Sequence, residues 1–229
     1  MLAAADFFDL SDFEHRAVFD GAEFVWEALT RLGHYLDTNL GRAHHGTVEN
    51  GAIIQGVVYL GPGSKVEAGA TIIGPALIDK DAVVRQGAYI RGRVLVGAGA
   101  LVGHATEVKN SILLPEAKAP HFNYVGDSIL GRRVNLGAGS ILSNLKVTLD
   151  AVTVQVGDRT YDTGLRKLGG ILGDDCETGC NCVLNPGTLI GPRTLVYPLA
   201  SLRGYYPPDS IVKLRQQHQV VERRSPVSS

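Results

Sequence analysis

The sequence contains no long apolar run and no strong excess of charge of one sign. No stretch approaches the roughly 18 apolar residues of a membrane-spanning helix. The 22 Lys and Arg residues nearly balance the 23 Asp and Glu residues, for a net charge of −1. Without a basic field, neither a nucleic acid nor an anionic membrane is an expected partner. The acidic opening MLAAADFFDLSDFEHR lacks the basic start of a signal peptide, so we expect a cytoplasmic globular protein.

Cysteine and the aromatic residues are also scarce. Only three cysteines are present, all between Cys176 and Cys182, and three thiols cannot all pair within one chain, which favours a reducing compartment. Their C-x3-C-x-C spacing, with no neighbouring histidine, is poor for zinc, so no metal is expected. Aromatic residues make up 7% of the chain, while glycine occurs 28 times. That balance predicts many tight turns and few large core side chains.

What the chain has instead is an aliphatic residue at every sixth position. A period of six fits neither an amphipathic helix nor a half-buried strand. It fits a chain that makes a short strand and a turn every six residues, with three such units closing one triangular coil. We therefore predict parallel coils stacked around a continuous aliphatic column. The residues of the first run are Val48, Ile54, Leu60, Val66, Ile72, Ile78, Val84, Ile90, Val96, Val102, Val108 and Leu114.

The rhythm fails twice, and a repeat scaffold is expected to carry its function where the repeat fails. The first break, PEAKAPHFNY, is bracketed by Pro115 and Pro120. Because proline cannot donate to a ladder, this segment is predicted to project as a loop. After it the rhythm resumes in a shifted frame, and it returns once more after the second break. These later positions are Tyr124, Leu130, Leu136 and Leu142, then Leu172, Thr178, Leu184, Ile190, Val196 and Leu202.

The second break lies between Ser143 and Gly170. Within it Val152, Val154 and Val156 alternate at period two and are followed by Gly157-Asp158. This pattern predicts a projecting β-hairpin that reaches over a cleft or against a neighbouring subunit.

The ends of the chain differ from its middle. Apolar residues at helical spacing between residues 24 and 36 predict a short amphipathic helix, whereas YYPPDS is predicted to end the coils. We expect a helical segment at 1–45, a coil domain at 46–205 with its hairpin insertion at about 144–171, and a tail at 206–229. The final SPVSS is expected to be disordered.

The stretch from Arg91 to Asn144 resembles the acetyltransferase domain of the bifunctional bacterial enzymes that make UDP-N-acetylglucosamine. It reads RGRVLVGAGALVGHATEVKNSILLPEAKAPHFNYVGDSILGRRVNLGAGSILSN. The hairpin and TGLRKLGG are similar to archaeal sugar-1-phosphate nucleotidylyltransferase/acetyltransferases. The resemblance covers roughly residues 23 to 205. It implies an all-β fold: a left-handed parallel β-helix of hexapeptide repeats with a short N-terminal helix and a projecting hairpin. The general crossover rule alone would give the opposite hand.

The same resemblance implies an activity. The family acetylates glucosamine-1-phosphate or another amino-sugar 1-phosphate with acetyl-CoA, without metal, for UDP-N-acetylhexosamine synthesis, and related β-helix acyltransferases are trimers with active sites between subunits. The segment before the helix leaves no room for a nucleotidyltransferase domain, so a separate nucleotidyltransferase is a possible partner.

Carried over position by position, the resemblance makes His121 the general base. Two positions depart from the family pattern: Cys180 stands where the family has a serine, and Pro198 where it has an alanine. The implied ligands are Arg91, Lys109, Tyr124 and Asn135 for the sugar phosphate, and the main chain at Ala138 and the region of Asn144 for acetyl-CoA.

The residues themselves are compatible with these roles. Imidazole, with an ordinary pKa of about 6.5, suits a base that deprotonates a sugar ammonium near neutral pH. Arg91 and Lys109 each follow an inward aliphatic residue and lie eighteen positions apart, or one coil, which should place them about 5 Å apart. Two cations so close cost energy unless an anion binds between them. The glycine-rich LGAGS from Leu136 to Ser140 can present main-chain N–H groups to a developing oxyanion.

Each assignment has a plainer alternative. His121 could be a surface histidine, Arg91 and Lys109 solvated charges, and His104 a residue of the coil surface beside the same cleft. Arg166 and Lys167 are weaker candidates for a phosphate. Cys176 and Cys182 fall in small inward positions, which favours core filling, whereas Cys180 points outward.

Three functional alternatives also stay open. The acyl donor or the amino sugar could differ, since glucosamine and galactosamine are not distinguished by sequence. The chain could instead be a non-catalytic, sugar-phosphate-binding β-helix subunit. A metal-dependent carbonic anhydrase on this fold would need three converging histidines, and only His104 and His121 lie near the middle of the coils.

Overall fold

The structure, a computed structural model, describes residues 2–41 and 43–223. Parallel strands of two to four residues stack into a three-faced prism, with each strand paired to the strand one coil earlier and one coil later. The fold is a left-handed parallel β-helix, as expected. The first face contains Ala43–His44, Val58–Leu60, Ala76–Ile78, Val94–Val96, Ser111–Leu113, Ile129–Leu130, Gly170–Leu172, Thr188–Ile190 and Tyr205–Tyr206.

The two remaining faces follow the same pattern. The second face contains Thr47–Val48, Lys65–Val66, Val83–Val84, Leu101–His104, Lys118–His121, Glu177–Thr178, Leu195–Val196 and Ile211–Val212, with Asn135 bridging its two halves. The third face contains Ile53–Gln55, Thr71–Ile73, Tyr89–Arg91, Glu107–Lys109, Tyr124–Gly126, Ile141–Leu142, Val183–Leu184 and Ser201–Leu202.

The predicted aliphatic column forms the core of the prism. Eleven of the twelve positions of the first run keep the predicted frame, and from Leu60 to Val108 each is fully buried. Ile54 is only half-buried, and Val48, in the first strand of the second face, is 39% exposed. Fully burying one such side chain contributes about 1.5–3 kcal/mol before the entropy of ordering is subtracted.

The predicted frame is wrong at two positions. Leu113, not Leu114, continues the column, because it pairs with Val96, seventeen rather than eighteen residues earlier. Val125, not Tyr124, points inward for the same reason. The cause is a shortened corner at Asn110, and a second shortened corner at Asp127 returns the column to the predicted Leu130. Both residues turn in the left-handed region, with φ of 45° and 47°.

The first break does not project. Lys118–His121 pairs in parallel with Leu101–His104, and Ala119 is fully buried in the column. Pro120 removes one N–H donor, and the pairing toward the next coil is correspondingly reduced to a bridge between Lys118 and Asn135. The predicted loop is therefore wrong: the proline segment is an ordinary part of the ladder.

The aromatic residues are concentrated in a second core outside the prism. The N-terminal segment contains two 3-10 turns, Ala4–Asp6 and Arg16–Phe19, and one α-helix, Glu27–Asn39, as the helical spacing predicted. Its large side chains pack on the outward residues of the first face. The buried members include Phe7, Phe8, Phe13, Phe19, Trp26 and Leu32 on the segment and Leu77, Leu95, Ile112, Leu114, Ile129, Ile171 and Leu189 on the face.

The second break does form the predicted hairpin. Thr153–Val156 and Arg159–Asp162 are antiparallel and are joined by Gly157-Asp158. The hairpin lies against its own chain, because Val152 and Val154 are fully buried in the second core and the Tyr161 ring contacts that of Phe24. The expectation that it reaches over a cleft or against a neighbouring subunit stays a prediction.

The coils continue past Leu202. Tyr205–Tyr206 and Ile211–Val212 both pair with the preceding coil, so YYPPDS lies between two paired strands instead of ending the ladder. Residues 213–223 have no regular secondary structure, and the terminal SPVSS lies outside the described residues. Within the described ranges, no helix has the length and apolar character needed to cross a membrane.

Gly103 tests whether the proline segment lies inside the ladder. A methyl group at Gly103 would overlap the carbonyl oxygen of Pro120. We expect Gly103→Ala to lower the free energy of unfolding by at least about 2 kcal/mol, measured by chemical denaturation. Gly41→Ala is the matched control, because an added methyl group there meets no atom within 4 Å. Equal stability of the two variants would contradict the placement of Pro120.

Candidate active site

The corner between the second and third faces brings together the candidate base and the candidate coenzyme contacts. His104 and His121 are direct partners in the ladder. Main-chain hydrogen bonds extend this pairing to the following coils. Gly139 donates to the His121 carbonyl at 3.0 Å, and Asn181 donates to the Ala138 carbonyl at 2.8 Å. We call the residues that occupy this corner on successive coils the corner column. They are His104, His121, Ala138, Cys180 and Pro198.

The two histidines of this column differ in their partners. The Nδ1 atom of His104 lies 2.9 Å from the carbonyl oxygen of Gln86, and its ring packs edge-on against Phe122 with centroids 5.3 Å apart. His121 is exposed, and its imidazole has no hydrogen-bond partner among the described residues; its main-chain N–H donates to Asn123 and its carbonyl accepts from Gly139. His121 is thus the histidine of the pair whose ring makes no hydrogen bond within the described part of the chain.

The LGAGS segment leaves one main-chain donor free. The N–H groups of Leu136, Gly137, Gly139 and Ser140 are all bonded within the chain. That of Ala138 has no acceptor in the described part of the chain. Since Ala138 lies one coil beyond His121, its N–H is available to an acyl oxygen or a coenzyme amide at this corner.

Arg91 and Lys109 lie on the third face, but each already has a carboxylate neighbour. The Nε atom of Arg91 donates to Glu107 Oε1 at 2.6 Å, and this bond raises the pKa of the guanidinium. Lys109 Nζ lies 3.3 Å from Asp127 Oδ2. The two cations therefore do not need an external anion to offset their repulsion, contrary to the sequence-based argument.

Sequence reasoning missed Glu107, although a signal for it was present. Glu107 precedes Lys109 by two residues on one short strand, so alternation places both side chains on the outer surface. Its ladder partners are Tyr89 on one side and Tyr124 on the other.

Asp127 is a second residue that the sequence did not indicate. Its buried carboxylate accepts hydrogen bonds from Lys109 Nζ, from Asn110 Nδ2 at 2.8 Å and from Asn144 Nδ2 at 2.5 Å. The Asn144 side chain also contacts the Tyr124 side chain, whose pKa is raised mainly by burial. Asp127 thus assembles three of the predicted ligands: Lys109, Tyr124 and Asn144.

Asn135 is not part of this cluster. It lies on the second face, bridging Lys118 and Glu177, and its N–H donates to the Cys176 carbonyl at 3.0 Å. The predicted site residues are consequently divided within one chain. The Asp127 cluster and Arg91 lie at or near the corner between the third and first faces, His121 and Ala138 lie at the corner between the second and third, and Asn135 lies on the second face.

The cysteines have the predicted environments. Cys176 and Cys182 are buried in the column, and burial raises the pKa of the Cys176 thiol to about 12. Cys180 is exposed. Within residues 2–41 and 43–223, no three His, Cys, Asp or Glu side chains form a group that could hold a metal ion.

Comparison with known proteins identifies relatives with this architecture. Residues 72–161 match the family described as the GMPPB C-terminal domain. The chain is 39% identical over 171 residues, 75% of its length, to the bifunctional protein GlmU of Methanococcus maripaludis. The chain is related to the hexapeptide-repeat acetyltransferases of the GlmU type. It is also 40% identical over 92 residues, 40% of its length, to a bifunctional sugar-1-phosphate nucleotidylyltransferase/acetyltransferase of Sulfurisphaera tokodaii.

A solved structure shares the fold. The UDP-N-acetylglucosamine acyltransferase of Francisella novicida superposes with a TM-score of 0.50 at 13% identity, covering 74% of this chain and 62% of that one. The matched segments span only 41% and 23% of the M. maripaludis and S. tokodaii proteins.

The role of Asp127 in holding its three donors can be measured as stability. Asp127→Asn keeps the shape but leaves one acceptor oxygen for three donors and turns an N–H₂ group toward them. We expect the free energy of unfolding to fall by about 2–4 kcal/mol. Asp175→Asn is the control, because Asp175 forms an exposed pair with Arg133 and should lose less than about 1 kcal/mol. Similar losses for both variants would contradict the role given to Asp127.

Proposed function

We propose that this protein is an acetyl-CoA-dependent N-acetyltransferase that acts on an amino-sugar 1-phosphate, with glucosamine-1-phosphate as the preferred acceptor. The observation that carries the proposal is the corner column, in which a free imidazole at His121 lies one coil from a free main-chain N–H at Ala138. The S. tokodaii relative, a sugar-1-phosphate nucleotidylyltransferase/acetyltransferase, supports both the acetyl transfer and the sugar phosphate.

In the proposed reaction, His121 removes a proton from the ammonium group of the sugar. The amine nitrogen then attacks the thioester carbon and forms a tetrahedral intermediate whose oxyanion accepts a hydrogen bond from Ala138 N–H. Collapse breaks the carbon–sulfur bond, and the coenzyme A thiolate takes up the proton held by the imidazole. The nitrogen still carries one proton more than the amide, and it releases this proton to the freed imidazole, which passes it to water. The products are the N-acetylated sugar phosphate, coenzyme A and one proton.

The two departures from the family pattern limit where the coenzyme is held. Pro198 has no N–H to offer, so this level of the column cannot donate a main-chain hydrogen bond to the coenzyme. Cys180 keeps its main-chain N–H and presents an exposed thiol. The proposal therefore assigns the coenzyme amides to the levels of Ala138 and Cys180, whereas Asn144 lies at the other corner, bonded to Asp127.

The activity is tested by thiol release from acetyl-CoA with a panel of amino-sugar phosphates. His121→Ala should lower kcat by about 10²–10⁴, the usual size of general-base catalysis. His104→Ala, on the neighbouring coil, is the matched control and should retain most of the activity. A His121→Ala variant with near-normal kcat would remove His121 from the mechanism. Binding of a sugar phosphate without any thiol release by the wild type would favour the non-catalytic alternative.

The phosphate ligands are tested separately. Arg91→Ala and Lys109→Ala should each weaken binding of the amino-sugar phosphate by about 1.5–3 kcal/mol, because each removes a charge-assisted bond to the phosphate. Binding of the unphosphorylated amino sugar should change little. Calorimetric titration of both ligands measures the difference, and equal losses for the two would mean that these cations act structurally.

The division of the site residues within one chain supports assembly as a homotrimer with three clefts between subunits. In such a trimer, Asn135 on the second face of one subunit could meet the third face of another. Apolar side chains exposed in the later coils, Leu195, Tyr197, Leu199 and Ile211, offer a surface for this contact.

Assembly is tested by native mass spectrometry at the assay concentration. We expect a trimer, and we expect dissociation to abolish activity while circular dichroism still reports folded β-structure. An active monomer would overturn the trimeric site.

The proposal also places the reaction in the cytoplasm, with a separate nucleotidyltransferase consuming the product.

A further inference from the structure

An aromatic side chain lies exposed beside the candidate base. Phe122 follows His121 directly, and it is 60% exposed. It occupies the position at which each coil turns from the second face to the third, with its main chain in the left-handed region. We call the residues at this position on successive coils the turn column. With φ between 51° and 79°, they are Gly69, Gly87, Ala105, Phe122, Gly139, Asn181 and Leu199.

The turn column suits small residues, and Phe122 departs from that preference. Glycine, alanine and asparagine fill five of its seven positions, because a bulky side chain is unfavourable in the left-handed region. Phe122, with a φ of 52°, is therefore strained. Its ring gains little burial in return, since most of it stays in contact with solvent. Strain at an exposed ring next to a candidate base indicates a functional role instead of a structural one.

Hydrogen bonds hold the strained turn in place. The main-chain N–H of Phe122 donates to the His104 carbonyl at 2.9 Å. The buried side chain of Asn123 accepts a bond from the His121 N–H at 3.1 Å and donates to the Gly137 carbonyl at 2.8 Å. These bonds fix the main chain of Phe122 relative to that of His121 before any ligand binds.

The Phe122 ring keeps a face available to a ligand. Among the described residues, the ring that contacts it is that of His104, with centroids 5.3 Å apart and planes nearly perpendicular, at 80°. In such an edge-to-face pair at most one face of either ring is occupied. The remaining face of Phe122 carries the negative part of the ring quadrupole, which attracts a cation.

A cationic acceptor meets little negative charge at this corner. Neither the corner column nor the turn column, both made up of described residues, contains an Asp or Glu residue. Glu107, two residues beyond the turn, is already bonded to Arg91. A carboxylate beside the amine would also raise the pKa of the ammonium and oppose its loss of a proton to His121. An aromatic face within about 6 Å attracts the ammonium without adding a full negative charge.

We propose that Phe122 is a specificity-determining residue, which recognises the ammonium group of the acceptor through the open face of its ring. This inference rests on the proposed N-acetyltransferase function and deepens it. The acceptor nitrogen is cationic until His121 removes its proton, and it is neutral once it is acetylated. The ring therefore favours the amino-sugar phosphate over the N-acetylated product, which helps the product to leave.

The test is isothermal titration calorimetry of the full chain with glucosamine-1-phosphate and with N-acetylglucosamine-1-phosphate. Phe122→Leu keeps an apolar side chain but removes the aromatic face. It should raise the dissociation constant of the amino sugar about three- to thirtyfold and leave that of the acetylated sugar within about twofold. Phe122→Tyr keeps the face and should bind both ligands as the wild type does. Above the pKa of the free amine the difference between Phe122→Leu and the wild type should vanish, which a structural role would not produce.

Phe122→Gly separates recognition from folding. Because glycine relieves the left-handed strain, the thermal unfolding midpoint without ligand should be unchanged or higher, while glucosamine-1-phosphate binds more weakly. Native mass spectrometry should show the same assembly as for the wild type.

Three results would overturn this inference alone: equal losses of both ligands in Phe122→Leu, a loss of neither, or a destabilised or dissociated Phe122→Gly variant, which would assign the ring to packing. Absence of binding of both ligands to the wild type would overturn the proposed function together with it.

Discussion

The parallel main-chain ladder between successive coils is the constraint on which the rest of the structure depends. Every strand of the β-helix is paired with residues sixteen or more positions away, and each inward aliphatic residue packs on the one a coil below it. Because the ladder fixes the height of each coil, residues at equivalent positions form columns. The corner column from His104 to Pro198 is such a set, and its members are neighbours only because the coils stack.

The two shortened corners show how a small change in coil length creates a polar site. Losing one residue at Asn110 and another at Asp127 brings consecutive corners into direct side-chain contact. Asp127 then accepts bonds from three donors on the two neighbouring coils, and its burial makes each bond costly to lose. Lys109, Asn144 and Tyr124 are positioned by this carboxylate instead of by the ladder alone.

Packing in the second core stabilises the hairpin insertion and the N-terminal segment as ordered structure. A β-helix presents a flat outer surface, and here the first face is lined with aliphatic residues on its outside as well as its inside. The aromatic residues of the N-terminal segment and the valines of the hairpin cover that surface. The helix and the segment that follows the hairpin, at residues 165–167, meet at the same corner, beside Asp127.

The sequence by itself determined the prism, the column, the helix and the hairpin turn, because each follows from local alternation that one segment displays alone. His121 could be selected from the sequence only through the resemblance to a family, and its role stays a prediction. The shift of the inward position from Leu114 to Leu113 could not be predicted from the sequence, because the loss of one corner residue leaves no local pattern. The partners of Arg91 and Lys109, and the docking of the hairpin, were decided only by tertiary structure. They depend on which side chains meet across coils, and residues that meet in this way lie far apart in the sequence.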